Sequence, residues 1–152
     1  MSYEELHPIP EESVLYMQKK ISILLVDTDK NVCSSYCSVL EKERDMNVVA
    51  KAKDIESANQ ALKKLKPDII VIDANLVDLN GNHQLSQCII GIPDVRVLVV
   101  SFHSDSRFVI RMLHAGASGY MLKDRAGEEL AQAIHTIVSN KTYISPGIAG
   151  IA

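Results

Sequence analysis

The chain has 152 residues, of which 47% are hydrophobic and 23% are charged, and it carries a formal net charge of −3 at pH 7. This length and composition are typical of one globular domain with a single sizeable core. The acidic balance argues against direct binding of nucleic acid by this chain, because DNA-binding modules normally carry a basic patch.

Cysteine usage and hydropathy indicate the compartment. The 3 cysteines cannot form a paired disulfide framework, and free thiols fit a reducing environment. Cys33 and Cys37 are four residues apart, so we expect both to be small buried residues on one helical face. No apolar stretch reaches the roughly 18 residues of a membrane helix, and residues 1–20 lack the basic start and apolar run of a signal peptide. The sequence therefore predicts a cytoplasmic protein without a membrane segment.

The first half of the chain alternates between predicted strands and helices after an N-terminal arm of residues 1–20. The continuous apolar run "ISILLV" (21–26) predicts a strand that is buried on both faces. Apolar residues recur at helical spacing from Val32 to Leu40 and predict an amphipathic helix. The next predicted elements are a strand over 47–52, a helix over 56–65 and a strand over 68–73.

The same alternation continues through the second half of the chain. A helix is predicted around Phe108, with Ser104 or Asp105 as its N-cap and Gly116 at its C-terminal end. The other predicted elements are a helix around 83–89, a strand over 96–101, a strand over 119–123 and a last helix from Leu130 to about Lys141.

This strict alternation indicates an α/β fold: a doubly wound parallel sheet of five strands, with helices on both faces and right-handed crossovers. In such sheets the site lies beyond the carboxyl ends of the strands. Those ends carry Asp27, Asp73, Ser101 and Lys123. Two carboxylates, a hydroxyl and an amine along one edge therefore predict a functional site there.

Two longer motifs resemble a known family. The stretch "PDIIVIDANLVDLNG" resembles the phosphorylation-site segment of response-regulator receiver domains. The stretch "GASGYMLKD", followed by "EELAQAIHTIVSNKTYISP", resembles the end of receivers of the NarL/LuxR type. The resemblance covers residues 21–147 and implies a flavodoxin-like sheet with strand order 2-1-3-4-5. It also implies that residues 148–152 begin a linker toward a helix-turn-helix DNA-binding domain that this chain does not contain.

The resemblance implies that Asp73 accepts a phosphoryl group from the phosphohistidine of a histidine kinase. An aspartate is already ionised at pH 7 and needs no general base, but it needs relief from repulsion by the incoming phosphoryl oxygens. Lys123 matches the family lysine that pairs with the phosphoryl group. Asp27 and the backbone carbonyl of Asn75 match positions that hold Mg²⁺, which supplies further positive charge.

The resemblance also implies a conformational switch and a set of partners. Ser101 matches the hydroxyl that moves toward the acyl phosphate, and Tyr120 matches the aromatic residue that follows it inward. The implied partner is a histidine kinase, and a homodimer with a second copy of the chain is left open. DNA is expected to be contacted only through an output domain.

Three positions depart from the family pattern. Thr28 stands where the family has a second acid that contacts magnesium, and Asp29, one residue further, is expected to cap the first helix. We therefore expect Mg²⁺ to bind weakly, because hard divalent ions are held largely by such charged oxygens. Phe102 replaces a usually small residue beside the site, and Val77 stands where proline is common. These departures keep open an atypical receiver, regulated without efficient phosphorylation, that acts as an interaction module.

An enzyme is the remaining alternative. A strand that runs into Asp-x-Asp also resembles the first motif of haloacid-dehalogenase-type phosphatases, with Asp27 as nucleophile and Asp29 as acid/base. That family expects threonine or valine at the position of Asn31, and a late acidic pair is missing from the sequence. A non-enzymatic receiver is therefore the favoured prediction.

Overall fold

The computed structural model of the protein describes residues 20–77 and 95–148. Its strands are β1 (Ile21–Val26), β2 (Met46–Ala52), β3 (Ile69–Asp73), β4 (Arg96–Ser101), β5 (Gly119–Leu122) and β6 (Tyr143–Ile144). Its helices are α1 (Lys30–Leu40), α2 (Ile55–Leu65), α3 (Ser106–His114) and α4 (Ala126–Val138), with short 3-10 helices over Ala74–Leu76 and Lys123–Arg125. The predicted arm before residue 20 and the predicted helix at 83–89 lie outside the described residues.

The strands form one parallel sheet in the order β2-β1-β3-β4-β5-β6. This confirms the doubly wound α/β fold and the predicted order of its first five strands. The predicted number of five strands was wrong. A sixth strand, β6, pairs with β5 through Tyr143 with Gly119 and Ile144 with Tyr120. A strand of two residues is too short to show an alternating pattern, so periodicity could not predict it.

Both faces of the sheet are buried, and alternate residues of each central strand enter separate cores. In β1, Leu24 and Val26 join the core that α2 and α3 cover, whereas Ile23 and Leu25 join the core that α1 and α4 cover. This explains the uninterrupted apolar runs of the strands, since a strand with two buried faces has no polar side. Cys33 is buried as predicted, whereas Cys37 is only half-buried, so the prediction of full burial was wrong for Cys37.

Helix ends follow the predicted capping residues. Asp29 is the N-cap of α1, and its Oδ1 accepts from the N–H of Asn31 at 2.8 Å. Of the two candidates for α3, Asp105 is the N-cap. Gly116 follows α3 with φ of 110°, a left-handed conformation that only glycine adopts without strain. No helix among the described residues is long and apolar enough to cross a membrane.

Candidate functional site

Three charged side chains meet at the carboxyl edge of the sheet. Asp27 directly follows β1, Asp73 is the last residue of β3, and Lys123 directly follows β5. The Lys123 Nζ lies 3.2 Å from Oδ2 of Asp27 and 3.3 Å from Oδ2 of Asp73. Both carboxylates are 6% exposed and the lysine side chain is 10% exposed, so the cluster is largely shielded from water. Lys123 was predicted as the end of β5, but it is the first residue of the 3-10 helix that follows.

The second oxygen of each carboxylate is held by its own loop. Oδ1 of Asp27 accepts from the N–H of Asp29 at 2.9 Å, and Oδ1 of Asp73 accepts from the N–H of Asn75 at 3.2 Å. Each aspartate thus has one oxygen fixed by backbone and one directed at Lys123. This fixes the orientation of both carboxylates before any ligand or phosphodonor arrives.

Electrostatics keep the lysine charged. Burial by itself lowers the pKa of Lys123, but the hydrogen bonds and negative charges of Asp27 and Asp73 outweigh that effect and raise it above the ordinary value. An ammonium group between two carboxylates leaves one net negative charge in a shielded site. The arrangement therefore suits a cation, which the net negative charge attracts, or an electrophile that a carboxylate oxygen can attack.

The oxygen atoms at this edge are of the type that holds a magnesium ion. Among the described residues, no three histidine, cysteine, aspartate or glutamate side chains cluster as a metal centre. Thr28, on the exposed bend after Asp27, contributes no carboxylate. Mg²⁺ is usually held by one or two carboxylates with several waters. The carboxylates of Asp27 and Asp73 and the carbonyl of Asn75 fit that description.

Ser101 and Tyr120 lie on neighbouring strands and share one backbone partner. Oγ of Ser101 accepts from the N–H of His103 at 3.0 Å, and the hydroxyl of Tyr120 donates to the carbonyl of His103 at 2.8 Å. Tyr120 is fully buried, and its ring packs edge-on against Phe108 at 5.9 Å. Burial raises the pKa of Tyr120, although a hydrogen bond with Ser101 opposes the rise. The role of His103 was missed, because a backbone partner leaves no signal in the residue type.

Phe102 stands at the outer side of the site. It is 72% exposed, and the centroid of its ring lies 5.5 Å from the Nζ of Lys123, within cation–π range. With Val32, Tyr36 and Lys123 it lines a cavity of about 300 Å³ between α1 and the start of α4. Tyr36 was not foreseen as a neighbour of the site. Burial and the charges of Asp27 and Asp73 raise its pKa, so its hydroxyl stays protonated.

The position of Val77 is less informative. Val77 is buried, and its N–H donates to the carbonyl of Ala74 at 3.0 Å, which closes the 3-10 turn after Asp73. A proline at this position has no N–H and would lose that hydrogen bond. The valine therefore suits the turn as it is built here.

Comparison with known proteins agrees with this arrangement. A family model described as the response regulator receiver domain matches residues 23–135. The transcriptional regulatory protein DegU of Brevibacillus brevis is 34% identical over 131 residues, which cover 86% of this chain and 56% of DegU. The response regulator GacA of Pseudomonas aeruginosa is 32% identical over 129 residues, which cover 85% of this chain and 60% of GacA.

Solved structures share the fold. A two-component response regulator of the LuxR family from Aurantimonas sp. SI85-9A1 is 32% identical, with a TM-score of 0.78 over 86% of this chain and 93% of that one. The isolated REC domain of RcsB from Salmonella enterica serovar Typhimurium, at 18% identity, has a TM-score of 0.79 over 86% of this chain and 96% of that one. This chain spans 56% to 60% of the length of the two curated relatives. With the family model matched over most of its length, the chain belongs to the response regulator receiver domains, and its relatives are two-component regulators of the NarL/LuxR type.

Proposed function

We propose that the protein accepts a phosphoryl group on Asp73 from the phosphohistidine of a histidine kinase and changes conformation in response. The observation that carries the proposal is the ammonium group of Lys123, 3.3 Å from the Asp73 carboxylate in a site with one net negative charge. A nucleophilic carboxylate needs an adjacent fixed cation to approach an anionic phosphoryl group.

The transfer itself exchanges one bond for another. A carboxylate oxygen of Asp73 attacks phosphorus, the bond from phosphorus to the histidine nitrogen breaks, and the electron pair leaves with the imidazole. The ammonium of Lys123 remains protonated, since its pKa is raised. During the transfer it exchanges its contact with the Asp73 carboxylate for a contact with the phosphoryl oxygens. Asp27 keeps the lysine in place through its own contact at 3.2 Å.

A magnesium ion would be held by the carboxylates of Asp27 and Asp73 and the carbonyl of Asn75. When bound, it supplies positive charge that stabilises the phosphoryl oxygens. Thr28 removes one carboxylate from the usual set, so we propose weak rather than tight binding. The gross Coulomb attraction lost is about 8 kcal/mol for a divalent ion and one charge at ~4 Å and an effective dielectric of ~20, and desolvation cancels most of it.

The signal is proposed to pass through Ser101 and Tyr120. Oγ of Ser101 accepts from the N–H of His103, so a movement of the Ser101 hydroxyl toward an acyl phosphate on Asp73 is expected to disturb that hydrogen bond. The hydroxyl of Tyr120 donates to the carbonyl of His103, so a movement of the loop at His103 changes the hydrogen bonds of both Ser101 and Tyr120. Such a shared partner suits a two-state element that local charge biases.

The output is proposed from the relatives. DegU is a transcriptional regulatory protein and GacA a response regulator, and both are longer than the matched region. We propose that residues 21–147 form the receiver, residues 1–20 an arm, and residues 148–152 the start of a linker toward a transcriptional output domain. We further propose that the protein works in the cytoplasm as a non-enzymatic signal transducer, alone or as a homodimer.

Two observations favour a second candidate, an atypical receiver whose phosphorylation is slow. Thr28 leaves the metal site short of a carboxylate, and the ring of Phe102 stands beside Lys123. The phosphatase alternative receives no such support, because the carboxylate of Asp29 is engaged as the N-cap of α1.

The test is incubation with acetyl phosphate and magnesium, followed by mapping of the modified residue by mass. We expect the label on Asp73, its loss in Asp73→Asn, and only a reduced yield in Asp27→Asn. A label recovered on Asp27 contradicts the proposal. An unlabelled protein after prolonged incubation with donor and kinase would favour the atypical receiver.

A further inference from the structure

A buried carboxylate outside the proposed site organises the far end of the described chain. Glu129 lies on α4 and is 6% exposed. Its Oε1 accepts from the hydroxyl of Tyr143 at 2.5 Å and from Oγ of Ser145 at 2.8 Å, and its Oε2 accepts from Nε of Arg125 at 3.0 Å. Three donors from two segments of the chain therefore converge on one side chain.

The partners of Glu129 enclose the turn that carries Lys123. On one side, Oγ of Ser145 accepts from the N–H of Leu122 at 2.9 Å while it donates to Glu129. On the other side, the guanidinium of Arg125 is tied to the same carboxylate. Lys123 lies between these two attachments, as the first residue of the 3-10 helix Lys123–Arg125.

The network also holds the segment that follows α4. Tyr143 and Ser145 belong to β6 and the residue just after it, and the N–H of Ser145 donates to the carbonyl of Tyr120 at 3.0 Å. Ser145 is itself 2% exposed. Removal of a single partner leaves buried polar atoms unsatisfied, which costs more than the loss of a solvated contact. The segment is thus attached to β5 immediately before Lys123.

We propose that Glu129, acting through Ser145 and Arg125, is a positioning residue for Lys123 and couples the proposed phosphorylation site to the segment Tyr143–Ile148. The proposal rests on the proposed function, because it concerns the lysine that serves Asp73. A change at Asp73 that moves Lys123 disturbs the attachment of this segment. A partner or output domain that displaces the segment is expected in turn to shift Lys123 and so to change the reactivity of Asp73.

The first test uses Ser145→Ala, which removes the link between Glu129 and Leu122. We expect phosphorylation of Asp73 by acetyl phosphate to slow about tenfold, since a displacement of ~1 Å in a reacting group costs up to ~100-fold. Ser118→Ala is the matched control. Oγ of Ser118 also accepts from the N–H of a strand residue, Val97, but Ser118 lies before the start of β5, at the end away from Lys123. The control is expected to keep the parent rate.

A second pair of variants separates the buried acid from its exposed neighbour. Glu129→Gln is expected to slow phosphorylation, whereas Glu128→Gln is expected to leave the rate unchanged. Glu128 also contacts Arg125, at 3.3 Å, but its side chain is 75% exposed. Tyr143→Phe removes the hydroxyl that donates to Glu129 but keeps the buried ring. It replaces Ser145→Ala as the test variant if Ser145→Ala fails to fold. Parent rates in Glu129→Gln and Tyr143→Phe would overturn the proposal.

A double-mutant cycle distinguishes positioning from general loosening of the fold. In a Lys123→Ala background, Ser145→Ala should have no further effect on the rate, because the positioned group is already gone. A further loss of the same size in that background means that Ser145 acts elsewhere and contradicts the proposal. Failure of the proposed function looks different, since Asp73 of the parent protein would then carry no label at all.

Discussion

The ammonium of Lys123 lies 3.3 Å from a carboxylate oxygen of Asp73, and neither side chain is more than 10% exposed. The lysine comes from the turn after β5 and the aspartate from the end of β3, with β4 between them in the sheet. The contact therefore depends on the tertiary fold, and it links the turn after β5 to the end of β3.

Replacement of this lysine should destabilise the protein. Lys123→Ala leaves Asp27 and Asp73 without their shared cation, and breaking a buried pair in this way costs roughly 3 to 5 kcal/mol. Urea unfolding in the absence of magnesium measures the loss. Asp27→Asn in the same background should restore part of it, because one of the repelling charges is gone. An unchanged free energy of unfolding for Lys123→Ala would show that the contact does not contribute.

Thr28→Asp should tighten magnesium binding. The substitution restores an acidic pair with Asp27, and about 1 to 2 kcal/mol of affinity is expected after desolvation. Without metal the added charge should make the variant slightly less stable than the parent, so magnesium should stabilise it more. Calorimetric titration with Mg²⁺ measures the affinity. Thr28→Asn, uncharged and of similar size, is the control, and equal dissociation constants in Thr28→Asp and parent would mean that position 28 does not face the metal.

The ring of Phe102 should slow the reaction with small phosphodonors. It covers the outer side of Lys123, and an exposed cation–π contact contributes about 0.5 to 1 kcal/mol, or roughly two- to fivefold in rate. Phe102→Ala is expected to accelerate phosphorylation by acetyl phosphate by that factor or more. Phe102→Leu keeps much of the bulk without the ring quadrupole, so its rate separates obstruction of access from restraint of the ammonium. Parent-like rates in both variants would exclude a role for this side chain.

Glu129 should make stability depend on pH in the acid range. Burial raises the pKa of Glu129, but the hydrogen bonds from Tyr143, Ser145 and Arg125 lower it by more. The pKa in the folded protein therefore lies below the ordinary value. A depressed folded pKa contributes stability that is fully present above the unfolded value of about 4.3 and is lost as the pH falls through the folded value. The difference in unfolding free energy between parent and Glu129→Gln should therefore shrink below about pH 4.3. A difference that stays constant between pH 7 and the lowest pH at which both variants fold would contradict the assignment.

This chain alone should not bind duplex DNA in a sequence-selective manner. It carries a formal net charge of −3, and its sequence shows no basic groove-reading element. Gel retardation with genomic fragments at several salt concentrations tests this expectation. Salt-sensitive, sequence-selective retardation by residues 1–152 would show that the chain itself reads DNA.

Local sequence determined the framework of this protein. The apolar runs of β1, β3 and β4 and the spacing of apolar residues in α1 predicted the order of the elements, since periodicity and burial on both faces are properties of short segments. The same strands predicted where Asp27 and Asp73 emerge, because parallel strands present their carboxyl ends at one edge. Asp29 and Gly116 marked helix ends through backbone requirements that involve only neighbouring residues.

Only the tertiary structure decided which distant groups meet. The two residues of β6 carry no periodic signal, and they pair with Gly119 and Tyr120 of β5 across the intervening helix α4. The Glu129 carboxylate gathers partners as far as 16 residues away, and a buried acid at helical spacing resembles any solvated one until its surroundings are known. The shared contact of Ser101 and Tyr120 with His103 uses backbone atoms that every residue type possesses. Packing, rather than residue identity, therefore selects these partners, because hydrogen bonds between distant segments form only where the fold excludes water and brings the two groups into reach.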